Sequence, residues 1–210
     1  MKLRIDLHVH SVQSDDSRVT LEDAFRRCRE EGLDGFALTD HDTMTKIPDE
    51  KKDDGLIVVP GVEITARGAH IIAMDIGDGV PKGLSIHETV DRIHGQGGIA
   101  IIAHPYSAFR TWVNAREIEN TPFDCVEVAN AYQFPYGWML EKNKALAERI
   151  GLPMTGGSDA HIQRTVGRAY TIIEADSKDV EGILRALRRG ETEAVGRGIT
   201  LAERLRLVKD

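Results

Sequence analysis

The placement of the histidines constrains this chain most. Six of its eight histidines stand at an end of an apolar run, most with a carboxylate within two residues. The clusters read Asp6-Leu7-His8-Val9-His10, Asp40-His41-Asp42 and Ser158-Asp159-Ala160-His161. His70 opens the run Ile71–Met74, His104-Pro105 closes Ile99–Ala103, and Glu63 follows Val58–Val62. Imidazole and carboxylate together bind borderline transition metals. Ligand-type residues from so many strand exits predict a polynuclear metal site, and such sites usually serve hydrolysis. The fold must therefore bring many strand ends to one point.

The apolar runs set the architecture. Leu3–Val9, Gly35–Thr39, Leu56–Val59 with Gly61–Thr65, Ile71–Met74, Ile99–Ala103, Val126–Ala129 and Thr171–Ile173 read as strands, with Glu193–Val195 as a last short one. Helical spacing marks Leu21–Glu31 after the N-cap Thr20, Ser85–His94 stopped by Gly95, Leu140–Ile150 stopped by Gly151 and Pro153, and Asp179–Arg189 stopped by Gly190. Strand-then-helix alternation with near-continuous apolar strands predicts a mainly parallel sheet covered by helices. A sheet that closes collects ligands at its strand ends more easily than an open one. About seven core strands are too few for an eight-unit barrel, so a small, irregular α/β barrel is expected. The 210 residues fit one domain, 1–210, without repeats or a long linker; Lys51–Gly55 reads as a solvated turn.

Composition excludes other classes. The net charge of -7 argues against tight, nonspecific binding of duplex nucleic acid through a broad basic surface. It leaves room for a small anionic substrate, because bound metals invert the local field. No apolar run reaches the roughly 18 residues of a membrane span, and no signal peptide is evident at the N-terminus. A cytoplasmic protein is expected. Cys28 and Cys125 form no CxxC pair and read as buried, reduced thiols.

The motifs Asp6-Leu7-His8-Val9-His10-Ser11 with Ser14-Asp15, Leu38-Thr39-Asp40-His41-Asp42, Gly61-Val62-Glu63, Ala103-His104-Pro105 and Gly157-Ser158-Asp159-Ala160-His161 resemble, in this order, the PHP (polymerase and histidinol phosphatase) superfamily of metal-dependent phosphoesterases. The resemblance runs from residue 3 to about 175. It implies a distorted (β/α)7 TIM-like barrel with a trinuclear site at the C-terminal strand ends. It assigns His8, His10, Glu63 and Asp159 to a first metal. Glu63 would bridge to a second, held also by His70 and His104, and Asp15, His41 and His161 would hold a third. The ions would be zinc, manganese or iron. The implied reaction is attack of a metal-bound hydroxide on a phosphate ester, with Glu63, Asp159, Asp40 and Arg164 as catalytic residues.

Other residues carry more local expectations. Asp6 and Asp40 resemble orienters of a ligand histidine or a bound water. Arg164 and Arg168 follow the last ligand pair and are candidate phosphate clamps. Glu127 and Asn130 leave a core strand toward the site mouth, Asn130 as a substrate contact. His87 and His94 match no motif and read as surface residues. Eight of the eleven aromatic residues lie between Tyr106 and Trp138, including Phe109 and Trp112. Tyr106 and its neighbours are positioned either to stack on a base or sugar or to pack the loops. Only 40 residues separate Glu63 from His104, so no domain is inserted there. The expected substrate is a small phosphomonoester, a nucleotide or a short single strand. Amidohydrolase-type cleavage of a C–N or ester bond and a non-catalytic metal-binding role are the competing readings.

Overall fold

The apolar runs become strands whose side chains are buried on both faces, as a sheet covered by helices and folded on itself requires. The computed structural model describes residues 1–48, 55–107, 115–200 and 203–204. Residues 51–54 of the expected turn, and Phe109 and Trp112, lie outside them. The strands are β1 (Lys2–Val9), β2 (Gly35–Leu38), β3 (Ile57–Ala66), β4 (Ala69–Met74), β5 (Ile99–Ala103), β6 (Cys125–Asn130), β7 (Met154–Gly157), β8 (Ala169–Glu174) and β9 (Thr192–Gly196). They form one sheet in the order β7-β6-β5-β4-β3-β2-β1-β8-β9. The helices are α1 (Leu21–Glu30), α2 (Ile86–His94), α3 (Ala115–Glu119), α4 (Tyr136–Ile150) and α5 (Val180–Arg189).

The sheet curls until its two halves meet, giving a nearly closed α/β barrel. The seam is a parallel bridge between Val9 and Ala160. His10 N–H donates to Ala160 O at 3.2 Å, and Asp159 N–H to His8 O at 2.8 Å. Gly157 permits this approach, because a Cβ there would lie 2.3 Å from the His8 Cβ.

The sheet is less parallel than the strand-helix alternation predicts. β4 runs antiparallel to both β3 and β5, and β8 runs antiparallel to β1 and β9. The cause is local. β3 continues past the end of β2, and Arg67-Gly68, with Gly68 at φ 86°, folds it into a tight hairpin with β4. This places His70 opposite Thr65 on β3 and beside Ala103 on β5.

Capping follows the sequence closely. Thr20, Ser85 and Asp179 accept N-terminal N–H groups of α1, α2 and α5, and Ser85 with Glu88 completes a capping box. α4 starts at Tyr136, ahead of the expected Leu140, with Pro135 at its N-cap. Cys28 and Cys125 are free and buried; burial pushes the Cys28 thiol up and that of Cys125 to about 12. Among the described residues no helix is long and apolar enough to cross a membrane.

Candidate metal centre

Glu63 occupies the middle of the cluster. It is fully buried, on the stretch of β3 that outruns β2. Its carboxylate meets five imidazoles: His41 Nδ1, His70 Nδ1 and His104 Nε2 at 3.0 Å, His10 Nε2 at 3.3 Å and His8 Nε2 at 3.4 Å. Asp159 Oδ1 lies 3.2 Å from His10 Nε2 and 3.6 Å from His8 Nε2. The ligand atoms fall into four overlapping groups: His8 with His10 and Glu63, His8 with His104 and Glu127, His41 with Glu63 and His70, and His10 with His41 and His161. Within each group they lie within 4.8 Å of one another.

Outer partners aim the rings. His8 Nδ1 lies 2.8 Å from Glu127 Oε1, leaving Nε2 toward Glu63. His10 Nδ1 lies 3.3 Å from the Ser14 hydroxyl, which itself donates to Asp40 at 2.9 Å. His161 Nδ1 lies 2.8 Å from Asp159 O. This is the pattern in which a metal-ligating histidine is oriented through its far nitrogen. His104 and Asp159 adopt left-handed backbone conformations, φ 29° and φ 52°, a strain characteristic of functional sites.

The electrostatics call for positive charge. Burial would raise the Glu63 pKa, yet the charges of His8 and His70 and the bonds from His10 and His104 hold it well below the usual carboxylate range. Asp159 is likewise depressed against burial by His8, His10 and His161. Burial disfavours a charged His8, but Glu127, Glu63 and Asp159 raise its pKa well above the ordinary value. Glu63 Oε2 and His161 Nε2 are buried without a well-formed hydrogen bond. His8 Nε2 and His10 Nε2 face each other at 3.0 Å. Such convergence of lone pairs fits divalent cations and explains the donor set.

Eight of the nine expected ligands come together: His8, His10, His41, Glu63, His70, His104, Asp159 and His161. The ninth position differs. Asp16, not Asp15, faces the outer histidines, with Oδ2 3.2 Å from His161 Nε2 and 3.7 Å from His41 Nε2. Asp15 is exposed and lines a polar cleft of about 620 Å³ beside them. The Ser14–Ser17 turn sets which aspartate points inward, through Ser14 N–H to Ser11 O and Ser17 N–H to Ser14 O. The strand period does not extend into that turn.

The remaining expected residues are placed as follows. Both Asp40 oxygens are engaged by Ser11, Ser14 and Thr45, so it braces the loop beneath His10. Asp6 accepts N–H bonds from His8, Ser158 and Gly167, tying β1 to the exit of β7; burial pushes its pKa to about 6. Asn130 is buried and bonds Glu127 and Asp159, a holding position closed to substrate. Arg168 is paired with Glu203. Arg164 is exposed on the turn Gln163–Thr165. Tyr106 packs against the core, with Lys142 Nζ 4.2 Å from its ring. His87 is a surface residue, whereas His94 is half-buried and lies 2.9 Å from Asp124.

Tyr132, not singled out as a site residue from sequence, lies against the cluster, its ring 5.4 Å from that of His161. Arg204 packs on Tyr132, and no motif marks it.

Several known proteins are similar to this chain. An uncharacterized protein of Methanocaldococcus jannaschii is 34% identical over 143 residues, covering 62% of this chain and 83% of that one. A phosphoribosyl 1,2-cyclic phosphate 1,2-diphosphodiesterase of Eggerthella lenta is 32% identical over 99 residues, 42% of this chain and 37% of that one. A crystal structure from Bacteroides vulgatus, of a two-domain protein described as containing a predicted PHP-like metal-dependent phosphoesterase, superposes with a TM-score of 0.71. It is 22% identical, and the match covers 99% of this chain and 69% of that one. The PHP-associated family matches residues 138–192 and the PHP domain family residues 6–133. Both segments contribute strands to the one sheet, and the chain belongs to the PHP family.

Proposed function

We propose that this chain hydrolyses phosphate esters at three divalent ions held in the mouth of its barrel. Family membership implies metal-dependent phosphoesterase chemistry; the number of ions and the residue roles are our reading. The supporting observation is the convergence of five imidazoles on buried Glu63, with outer partners turning Nε2 of His8 and His10 inward. His8, His10, Glu63 and Asp159 would hold the first ion, Glu63, His70 and His104 the second, and Asp16, His41 and His161 the third. Bound there, the ions would lower the pKa of a coordinated water and neutralise charge growing on the phosphoryl oxygens.

The chain's own residues prepare that chemistry. Glu127 and the Ser14–Asp40 pair fix the rings of His8 and His10. Asn130 holds Glu127 and Asp159 in register with each other. Arg164, exposed on the turn after His161, is the cation proposed to clamp non-bridging phosphate oxygens.

The test is phosphate release from metal-loaded protein across nucleotides, sugar phosphates, amino-acid phosphates and 5′-phosphorylated short strands. Hydrolysis of at least one class, abolished by chelation and restored by zinc, manganese or iron, is the expected result. Cleavage of amides with every phosphate ester left intact would overturn the proposal.

A further inference from the structure

A chain of ring and cation contacts leads out of the metal centre along one rim. Tyr132 begins it, 5.4 Å from His161. The Arg204 guanidinium lies 5.3 Å from the Tyr132 ring and 5.1 Å from the Phe134 ring. Phe134 is 60% exposed, so core packing does not account for it.

The loop beneath these rings is fastened on both sides. Asn130 Oδ1 accepts the N–H groups of Tyr132 and Gln133, and the same side chain bonds Asp159. From the C-terminal side, Ile199 N–H donates to Ala131 O at 2.9 Å and Arg204 Nη2 to Tyr132 O at 2.6 Å. Arg204 Nε is buried and has no hydrogen-bond partner among the described residues. A flat surface is thereby registered to the metal centre.

The other rim has the opposite character. The cleft beside His41 is lined by Asp15, Asp16 and Asp42, with Lys82 3.9 Å from Asp42. With Asp15 and Asp42 lining it, and Lys82 as the one lysine or arginine among its described lining residues, that cleft offers a polyanion less than the rim of Tyr132, Arg204 and Phe134 does. Rings with a half-buried guanidinium suit the π-faces of nucleobases. The protein's acidic balance leaves little basic surface for a phosphate backbone.

We propose that Tyr132, Phe134 and Arg204 form a base-stacking subsite for a short single strand whose terminal phosphate lies at the metal centre. This rests on the phosphoesterase reading and narrows its substrate class.

Equilibrium binding tests it without catalysis. Two labelled hexamers with phosphorothioate linkages and a 5′-phosphate are compared by fluorescence anisotropy, one of deoxythymidine and one abasic. The thymidine strand is expected to bind at least about tenfold tighter. Phe134→Ala should weaken it about 5- to 150-fold, the range of one lost base stack, and leave abasic binding and thermal stability unchanged. The salt dependence should be shallow, one or two phosphates in slope. Equal affinity for the two strands, or a Phe134→Ala protein that binds both like wild type, would overturn the subsite. So would loss of self-association in Phe134→Ala on sedimentation without loss of strand binding, which would assign the ring to a contact between copies. Wild-type hydrolysis of glycerol phosphate reports separately on the phosphoesterase reading. Base-dependent binding with no ester cleaved would sink that reading and keep the subsite.

Discussion

The inner and outer halves of the histidine cluster are built by different means. His8, His10 and Glu63 are fully buried, and His104 and Asp159 are 1% exposed. All five lie on a strand or within two residues of one, so backbone pairing fixes them. Asp16 and His41 of the outer group keep side-chain exposures of 49% and 22%, and His70 of the second group 15%, whereas outer His161 is buried. They stand on loops or on the hairpin that outruns its neighbour. A carboxylate inside the barrel is aimed before any ion arrives; Asp16 is aimed by a serine-rich turn. The inner ions should therefore exchange slowly and the outermost one readily.

The strongest challenge to this contrast is Glu63→Gln. Removing the charge shared by the inner groups should lower kcat/KM at least about a thousandfold, roughly 4 kcal/mol, and cost more than one bound ion by elemental analysis. Retention of both ions and full activity would remove Glu63 from the bridging position. Next is Glu127→Gln, which frees the His8 ring without touching an expected ligand. A loss of about 10- to 100-fold in metal affinity or activity is expected. An unaffected variant would mean that strand pairing alone orients His8.

At the outer half, Asp16→Asn should release one ion and lower activity about tenfold, while Asp15→Asn changes either by less than about twofold. The reverse order would restore the aspartate expected from sequence. Arg164→Ala is expected to reduce kcat/KM about tenfold, whereas Arg168→Ala, which leaves the largely buried Glu203 without its cation, should lower stability but cost little activity.

The smallest effect is a pH dependence of the metal-free protein. Burial opposes a charged His41, yet Asp16 and Glu63 raise its pKa to about 10. A raised histidine stabilises fully below its unfolded value of 6.5 and loses that contribution as pH climbs toward about 10. Urea midpoints of chelated protein should fall across that window, and reloading with metal should flatten the decline.

Which residues were readable from sequence follows the same division. His8 and His10 are two apart at a strand exit, and the period of the strand carries both to one face. His104 is likewise read from where an apolar run stops, whereas Asp159 is read from its two-residue spacing to His161 after Gly156-Gly157-Ser158, with no strand expected before it. His70 is anchored by register beside Ala103, which a run of apolar residues hints at without stating the antiparallel turn. Asp15 and Asp16 are indistinguishable by period, because a turn has none. Tyr132 and Arg204 meet across 72 positions, and local pattern carries no signal for such a contact.

The barrel seam has a consequence for how the chain acquires its shape. One parallel bridge, Val9 to Ala160, joins the exits of β1 and β7. His8 and Asp159 flank it, 151 positions apart in the chain. An ion shared between them would be a clasp across a loop of that length. Loop-entropy arguments for cross-links of this size give about 5 kcal/mol, the scale of a whole domain's net stability. A nascent chain cannot use that clasp until residue 159 has arrived, so uptake of an ion shared by His8 and Asp159 would be coupled to completion of the barrel.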